Sequence, residues 1–218
     1  MERFLESPAV IFHIGPIPIT ETVVVSWLIM LALILFGFLL TRNLRTRPRG
    51  LQTVTELAVR ATQDLIGMTM GPDKMGFLGY MGSLMAFIVV ANVIGIAGVR
   101  PPTSDLNITM GLALLTFVMI QLYGARSHGV GGYIKTLSEP VFFLLPLNII
   151  GELAKPVSLG VRLFGNIVGG SIIMAMIYAV IPVVIPMPFH LYFDVFVGVI
   201  QTFIFAALTM VFVGLAME

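Results

Sequence analysis

Long uncharged stretches alternate with short polar ones along this chain. Val23 to Leu40 carries no charged residue and runs into Arg42, Arg45, Arg47 and Arg49. Met75 to Val99, Leu106 to Ala125 and Val195 to Met217 are equally free of charge. From Pro140 to Gly151 the chain is apolar; Glu152, Lys155 and Arg162 then interrupt it, and no Asp, Glu, Lys or Arg follows until Asp194. A helix of about 20 mostly apolar residues crosses a bilayer. The pattern therefore predicts spans at 22–41, 75–99 and 106–125, a long helix over 137–181 that carries Arg162, and a last helix over 188–217. Residues 1–21 are read as a short segment outside the first span, and the cluster Pro182, Pro186 and Pro188 as a break between the last two helices, because proline removes a helix donor and clashes with the preceding turn.

Residues 50–70 follow a different rhythm. Thr53, Glu56, Arg60, Gln63 and Asp64 fall at three- and four-residue spacings, while Leu57, Ala58, Ala61, Leu65 and Met68 offer an apolar face. That predicts an amphipathic helix lying at the membrane interface. The fold class expected is an all-α polytopic membrane protein, one domain, with about five embedded helices and one interfacial helix. The arginine cluster after the first span marks a cytoplasmic loop by the positive-inside rule. Arg126, His128 and Lys135, two spans later, agree. The N-terminus is then outside and Glu218, after five crossings, is cytoplasmic.

Composition sharpens this picture. Of the 218 residues, 58% are hydrophobic and 11% charged, against about 25% charged in soluble domains; lipid must solvate much of the surface. The net charge of +1 says little about partners, and no basic tract with interleaved aromatics points to nucleic acid. Cysteine is absent, which excludes disulfides, thiolate metal sites and a cysteine nucleophile. The prolines and glutamates of the first twenty residues argue against a signal peptide. The histidines His13, His128 and His190 are scattered, so no metal or haem site is expected. There is no Gly-x-Ser-x-Gly elbow and no phosphate loop; no cofactor is expected.

The chemistry then rests on a few polar residues in apolar surroundings. Arg162 is a permanent cation, since guanidinium does not deprotonate in proteins, and a mid-membrane arginine costs about 2.5–3.5 kcal/mol on insertion scales. It needs an acceptor, a wet cavity or a partner. The bland alternative, an arginine snorkelling to the headgroups, suits Lys155 better. Ser158, Arg162, Asn166 and Gly169 share one helical face by spacing, and Gly165 with Gly169 forms a small-xxx-small pair that lets a neighbour approach closely. Asp194, Gly198, Gln201 and Phe205 share a face of the last helix, with Asp194 and Gln201 about 10.5 Å apart along its axis. Asn92, Ser171 and His190 are weaker candidates; His190 can titrate near neutral pH or be a plain interfacial residue.

The stretch Lys155-Pro156-Val157-Ser158-Leu159-Gly160-Val161-Arg162-Leu163-Phe164-Gly165-Asn166 resembles the signature of subunit a of rotary F-type ATP synthases. Pro101 to Thr109 is similar to that family's outer loop entering a span, and Gln201 to Thr209 to its last helix. The resemblance runs along nearly the whole chain. It implies a non-catalytic stator in the bacterial plasma membrane, facing a rotating ring of c-subunits, with a b-subunit peripheral stalk and an ATPase head as further partners. It implies two aqueous half-channels that deliver a proton or sodium ion to the ring, and a last pair of helices that are long, tilted and paired as a hairpin. By the same resemblance Arg162 stands between the channels, Gln201 lies opposite it, and Asn166 lines the ring-facing surface.

One departure stands out. Many members of that family carry a glutamate nine residues after the arginine, where this chain has Ser171, and often a histidine seven before the glutamine, where it has Asp194. The channel carboxylate is thus expected to have moved from one helix to the other. Two rival readings follow from the residues alone. One is a secondary transporter using Arg162 to bind an anion at a broken helix, for which no repeated half is found. The other is a scaffold in which Arg162 pairs internally with Glu152 or Asp194.

Overall fold

The computed structural model describes residues 9–14, 17–42, 50–138, 143, 145–180 and 186–217. Arg45, Arg47, Arg49, Pro182 and Glu218, on which part of the topology reading rests, lie outside them. The described chain is almost entirely helical, and five helices are long and apolar enough to cross a membrane: Glu21–Thr41, Pro72–Ala97, Leu106–Gly129, Leu145–Ala179 and Pro188–Met217. The protein is an all-α polytopic membrane protein.

A small antiparallel hairpin precedes the helices, β1 (Val10–Ile14) paired with β2 (Ile17–Thr20). Nothing in the hydropathy pattern foretold it: a two-stranded ribbon is too short to show a clear alternation. α1 (Glu21–Thr41) buries only Thr22, Val25, Ser26 and Ile29. The rest of its surface, Trp27, Leu31, Ile34, Phe38 and Leu39 included, is exposed. A soluble helix cannot leave that much apolar area in water; in lipid no such cost arises.

α2 (Leu51–Thr69) packs through Thr62 and Ile66 onto its neighbours. Its apolar residues Leu51, Val54, Leu57 and Met68 stay exposed. An amphipathic helix with an uncovered apolar face fits the membrane boundary. α3 (Leu78–Val93) is flanked by 3-10 turns at Pro72–Phe77 and Ile94–Ala97, so this span begins three residues before and ends two residues before the 75–99 expected.

α4 (Leu106–Ser138) is longer than the expected 106–125. It passes through the basic segment as helix and bends at Gly129, whose φ of 70° is a left-handed value open to glycine at little cost. Arg126 and Lys135 therefore lie on helix, not on an irregular loop. α5 (Leu145–Val180) carries Arg162 and begins eight residues later than the 137 expected, because 137–138 still belong to α4. Pro146 falls in its first turn, where the missing N–H costs nothing. Pro156 lies inside it and leaves the Glu152 carbonyl without its helical donor. At about 1.5 Å per residue α5 is about 54 Å long, well beyond the roughly 30 Å hydrocarbon core, so it must tilt or emerge.

The last helix has three parts: α6 (Pro186–His190), a π-helical stretch Leu191–Val197, and α7 (Gly198–Met217). A π turn inside an α-helix is uncommon and often sits at a functional position; Asp194 is in the middle of this one. One core joins α2, α3, α4, α5 and α7 through Ile66, Met81, Ile120, Leu163, Phe205 and Met210. Val25 and Ile29 of α1 pack on Ala91 of α3.

Two glycines set how closely the helices approach. A Cβ on Gly160 of α5 would lie 2.6 Å from the Met110 sulfur and 3.3 Å from the Thr109 carbonyl of α4. One on Gly198 would lie 2.9 Å from Cβ of Asn92. Gly165 has nothing within 4 Å. Gly198→Ala is therefore expected to destabilise the purified chain by about 1–3 kcal/mol, the usual cost of overpacking, and Gly165→Ala to leave it unchanged. Thermal loss of helical circular dichroism in detergent checks both.

Candidate functional site

Hydrogen bonds knit the end of the molecule where β2, α1 and the 100–105 loop meet. Thr22 donates to Asp105 Oδ2 at 2.7 Å, and the Asn107 amide donates to Asp105 Oδ1 at 2.9 Å. Asp105 thus caps α4, as an acidic N-cap should, while holding α1. Asn92 of α3 accepts from Thr103 at 2.8 Å and donates to the Gly198 carbonyl at 3.1 Å. That carbonyl comes within reach because residue 198 has no side chain. Arg100 donates to Ser104 at 3.3 Å.

Beneath this network lies a cavity of about 90 Å³ between α5, the π stretch and the loop, lined among others by Asn92, Ser104, Asn166, Ser171, Tyr178 and Asp194. A water needs roughly 10–15 Å³ of such space and two to four polar partners, so several fit. His190 also lines it. Its Nε2 is 2.8 Å from the Tyr178 hydroxyl and its Nδ1 2.7 Å from Asp194 Oδ2. Ser171 donates to the Val168 carbonyl at 2.8 Å, a bond within its own helix.

Asn166 links the cavity to the arginine. It lines the cavity, donates to Gln201 Oε1 across to α7, and sits one turn on from Arg162. Gln201 is 3% exposed, and its Nε2 is buried without a hydrogen-bond partner among the described residues. Arg162 itself lies on the exposed side of α5 with Ser158 and Asn166. Its hydrogen bond goes to Ser158, at 3.5 Å, and not to Gln201. Glu152 pairs with Lys155, and Asp194 with His190; among the described residues no carboxylate pairs with Arg162. The small residues beside it remain uncovered: a Cβ on Gly165 or Gly169 would meet nothing within 4 Å, whereas one on Gly170 would touch Phe193 at 3.4 Å.

The sequence candidates thus divide. Asn166, Ser171, His190 and Asp194 meet at the cavity. Ser158 and Arg162 stand on the open face, and Gln201 is buried between α5 and α7. Tyr178 is the residue that sequence reasoning missed. Its partner His190 lies twelve residues on, on α6, a distance that no single helical turn spans. The His190–Asp194 contact was legible as an i, i+4 pair.

A second polar group lies toward the other end of α5. Lys155 pairs with Glu152 and lies 5.3 Å over the Phe212 ring, while Glu152 Oε2 is buried with no hydrogen-bond partner among the described residues. Burial, then the Glu152 carboxylate, push the Tyr133 phenol up, against a hydrogen bond with Gln121 that lowers it.

Comparison with known proteins bears on this arrangement. Residues 23–214 match the family described as ATP synthase A chain. The chain is 41% identical to "ATP synthase subunit a" of Moorella thermoacetica over 208 residues, 95% of either chain. It is 39% identical to "ATP synthase subunit a 2" of a Bradyrhizobium species, over 94% of this chain and 92% of that one. It is 38% identical to "ATP synthase subunit a, sodium ion specific" of Propionigenium modestum, over 90% and 73%.

The Asn166–Gln201 bond gives a stability test independent of function. Removing either side chain alone and then both should show a coupling near the membrane average of about 0.6 kcal/mol, at most about 1.7. Strict additivity in denaturant unfolding would remove the bond from the account.

Proposed function

The chain belongs to the ATP synthase A chain family, and from that membership together with the site we propose that it is the ion-translocating stator of a bacterial F-type ATP synthase. In this reading α5 and α7 face a ring of c-subunits in the plasma membrane. An ion reaches a ring carboxylate through the cavity beside α5, travels with the ring, and leaves by a second path on the cytoplasmic side. Arg162 separates the two paths and displaces the ion from each arriving carboxylate. A b-subunit stalk and the ATPase head complete the assembly, with the N-terminus outside and the C-terminus cytoplasmic.

The observation that carries the reading is the state of Arg162. A fixed cation on an exposed helix face, beside uncovered glycines and with no carboxylate paired to it among the described residues, suits a surface past which anionic sites move. The internal scaffold reading loses its ground, because Glu152 and Asp194 are engaged by Lys155 and His190. Family membership displaces the transporter reading. A cation that cannot lose its proton suits the task, since a lysine can be neutralised in a poor solvent. The potential supplies about 2.3 kcal/mol per charge per 100 mV.

Arg162→Ala in the whole complex is expected to abolish ATP synthesis and ATP-driven ion uptake in reconstituted vesicles; retained synthesis would reject the stator role. Asp194→Asn should lower uptake sharply and Ser171→Ala only mildly, because Asp194 is the carboxylate of the cavity. Normal uptake by Asp194→Asn would reject its role in the path.

A further inference from the structure

We infer that the pocket between the C-terminal ends of α2 and α7 binds the headgroup of an aminophospholipid, its phosphodiester on Lys74 and its ammonium on the helix-end carbonyls. No residue of α5 lines this pocket, and its occupancy is independent of the stator reading.

The pocket has a volume of about 290 Å³ and is lined by Thr69 and Met70 at the end of α2, by Lys74 in the 3-10 turn that follows, and by Gly214 and Met217 at the end of α7. Pro72 begins one candidate span and Met217 ends another, while the amphipathic α2 suits the boundary itself. These elements therefore bring their ends together at the membrane–water boundary, the level of lipid headgroups. A single ordered water needs roughly 10–15 Å³, so the space suits a larger group.

Charge selects the group. The last carbonyls of a helix lack intrahelical donors, and a helix C-terminus carries roughly −0.5 of an elementary charge. Two such ends converge here, close enough that a Cβ on Gly214 would lie 3.8 Å from Cγ of Met70. Lys74 is the cation beside them. Among the described residues the side-chain ion pairs are Lys155 with Glu152 and His190 with Asp194, so no carboxylate there, its chain neighbour Asp73 included, pairs with Lys74. Two negative helix ends and one lysine leave the pocket near neutral, with its charges apart. The matching ligand is likewise neutral overall with its charges apart.

Hydrogen bonding narrows the choice to a primary ammonium. The Thr69 hydroxyl has one hydrogen, spent on the Leu65 carbonyl at 2.6 Å or the Met210 sulfur at 3.3 Å, which leaves its oxygen as an acceptor. The Met217 carbonyl takes the Ser127 hydroxyl at 2.8 Å and keeps a second lone pair. Phosphatidylethanolamine offers three N–H donors to such acceptors and a phosphodiester to Lys74. Phosphatidylcholine has the same charges but no N–H, and phosphatidylglycerol brings an anion and nothing for the carbonyls to bind as a cation. Leu215 of α7 and Met68 of α2 are exposed apolar residues beside the pocket, a surface along which the acyl chains can run.

The test uses the whole complex reconstituted in vesicles that hold one of three probes at equal mole fraction: phosphatidylethanolamine, phosphatidylcholine or phosphatidylglycerol, each with the same photoreactive diazirine on its acyl chain close to the headgroup. After illumination this chain is digested, and labelled peptides are read by mass spectrometry. Labelling within 68–74 and 211–217 is expected to be strongest with phosphatidylethanolamine. In Lys74→Gln it should fall about fivefold, the factor that about 1 kcal/mol for one lysine at a lipid surface gives, and Lys74→Arg should keep it. Gly214→Leu, which fills the pocket, should remove the preference among lipids. Residues 31–39 on the exposed part of α1 should show no preference. Equal labelling of the pocket by the three lipids overturns the proposal, and so does stronger labelling by phosphatidylglycerol, wild-type labelling in Lys74→Gln, or the same preference at 31–39. If Gly214→Leu does not assemble, Lys74→Gln decides alone, since Lys74 lies outside the core. Ion uptake plays no part in the readout, so the result is separate from that of Arg162→Ala.

Discussion

A permanent positive charge inside a span apolar enough to cross a membrane, with no counter-ion among the described residues, is the constraint around which this molecule is arranged. Arg162 cannot be neutralised by losing a proton, and it lies within the candidate span Leu145–Ala179, where an arginine is costly. The fold leaves it on an open face of α5, with Ser158 at 3.5 Å as its one hydrogen-bond partner among the described residues. Such an arrangement holds only if something outside the chain answers the charge. The glycines beside it serve the same end, since Gly165 and Gly169 face open space and let another backbone come near.

The rest of the structure keeps that face open while closing the others. Gly160 brings α5 against α4, and Gly198 brings α7 against Asn92 of α3. The other polar groups are tied inward. Asp105 holds α1 and caps α4, Asn92 joins the 100–105 loop to α7, and Asn166 joins α5 to α7. The carboxylates that could have quenched Arg162 are held by Lys155 and His190. The polar cavity lies on the opposite flank of α5 from the open glycines, and Asn166 is the side chain that links the cavity lining to α7 beside the arginine.

Much of the architecture was legible because lipid imposes length and hydropathy on every span. The five spans and the uncovered apolar side of α2 follow from that constraint. The boundaries that moved did so where hydropathy has no say. α4 stays helical through Arg126 and His128 because nothing but Gly129 bends it, and α5 starts beyond 137 because α4 has not yet ended. The β1–β2 hairpin is too short for a pattern. Within the site, Ser158, Arg162 and Asn166 could be placed on one face by counting residues. The partners of Asn92, Gln201 and Tyr178 could not, since each lies on another helix and depends on packing angles that one-dimensional spacing does not encode.

The claim that Arg162 faces a neighbouring ring can be tested by proximity, and the chain has no cysteine of its own. A single Gly165→Cys, combined with a cysteine next to the membrane carboxylate of the c-subunit, places two thiols on the surfaces said to meet. Oxidation should join the two subunits in high yield, while the same c-subunit paired with Leu122→Cys on the exposed side of α4 should give no product. A cross-link from position 122 and none from 165 would contradict the account.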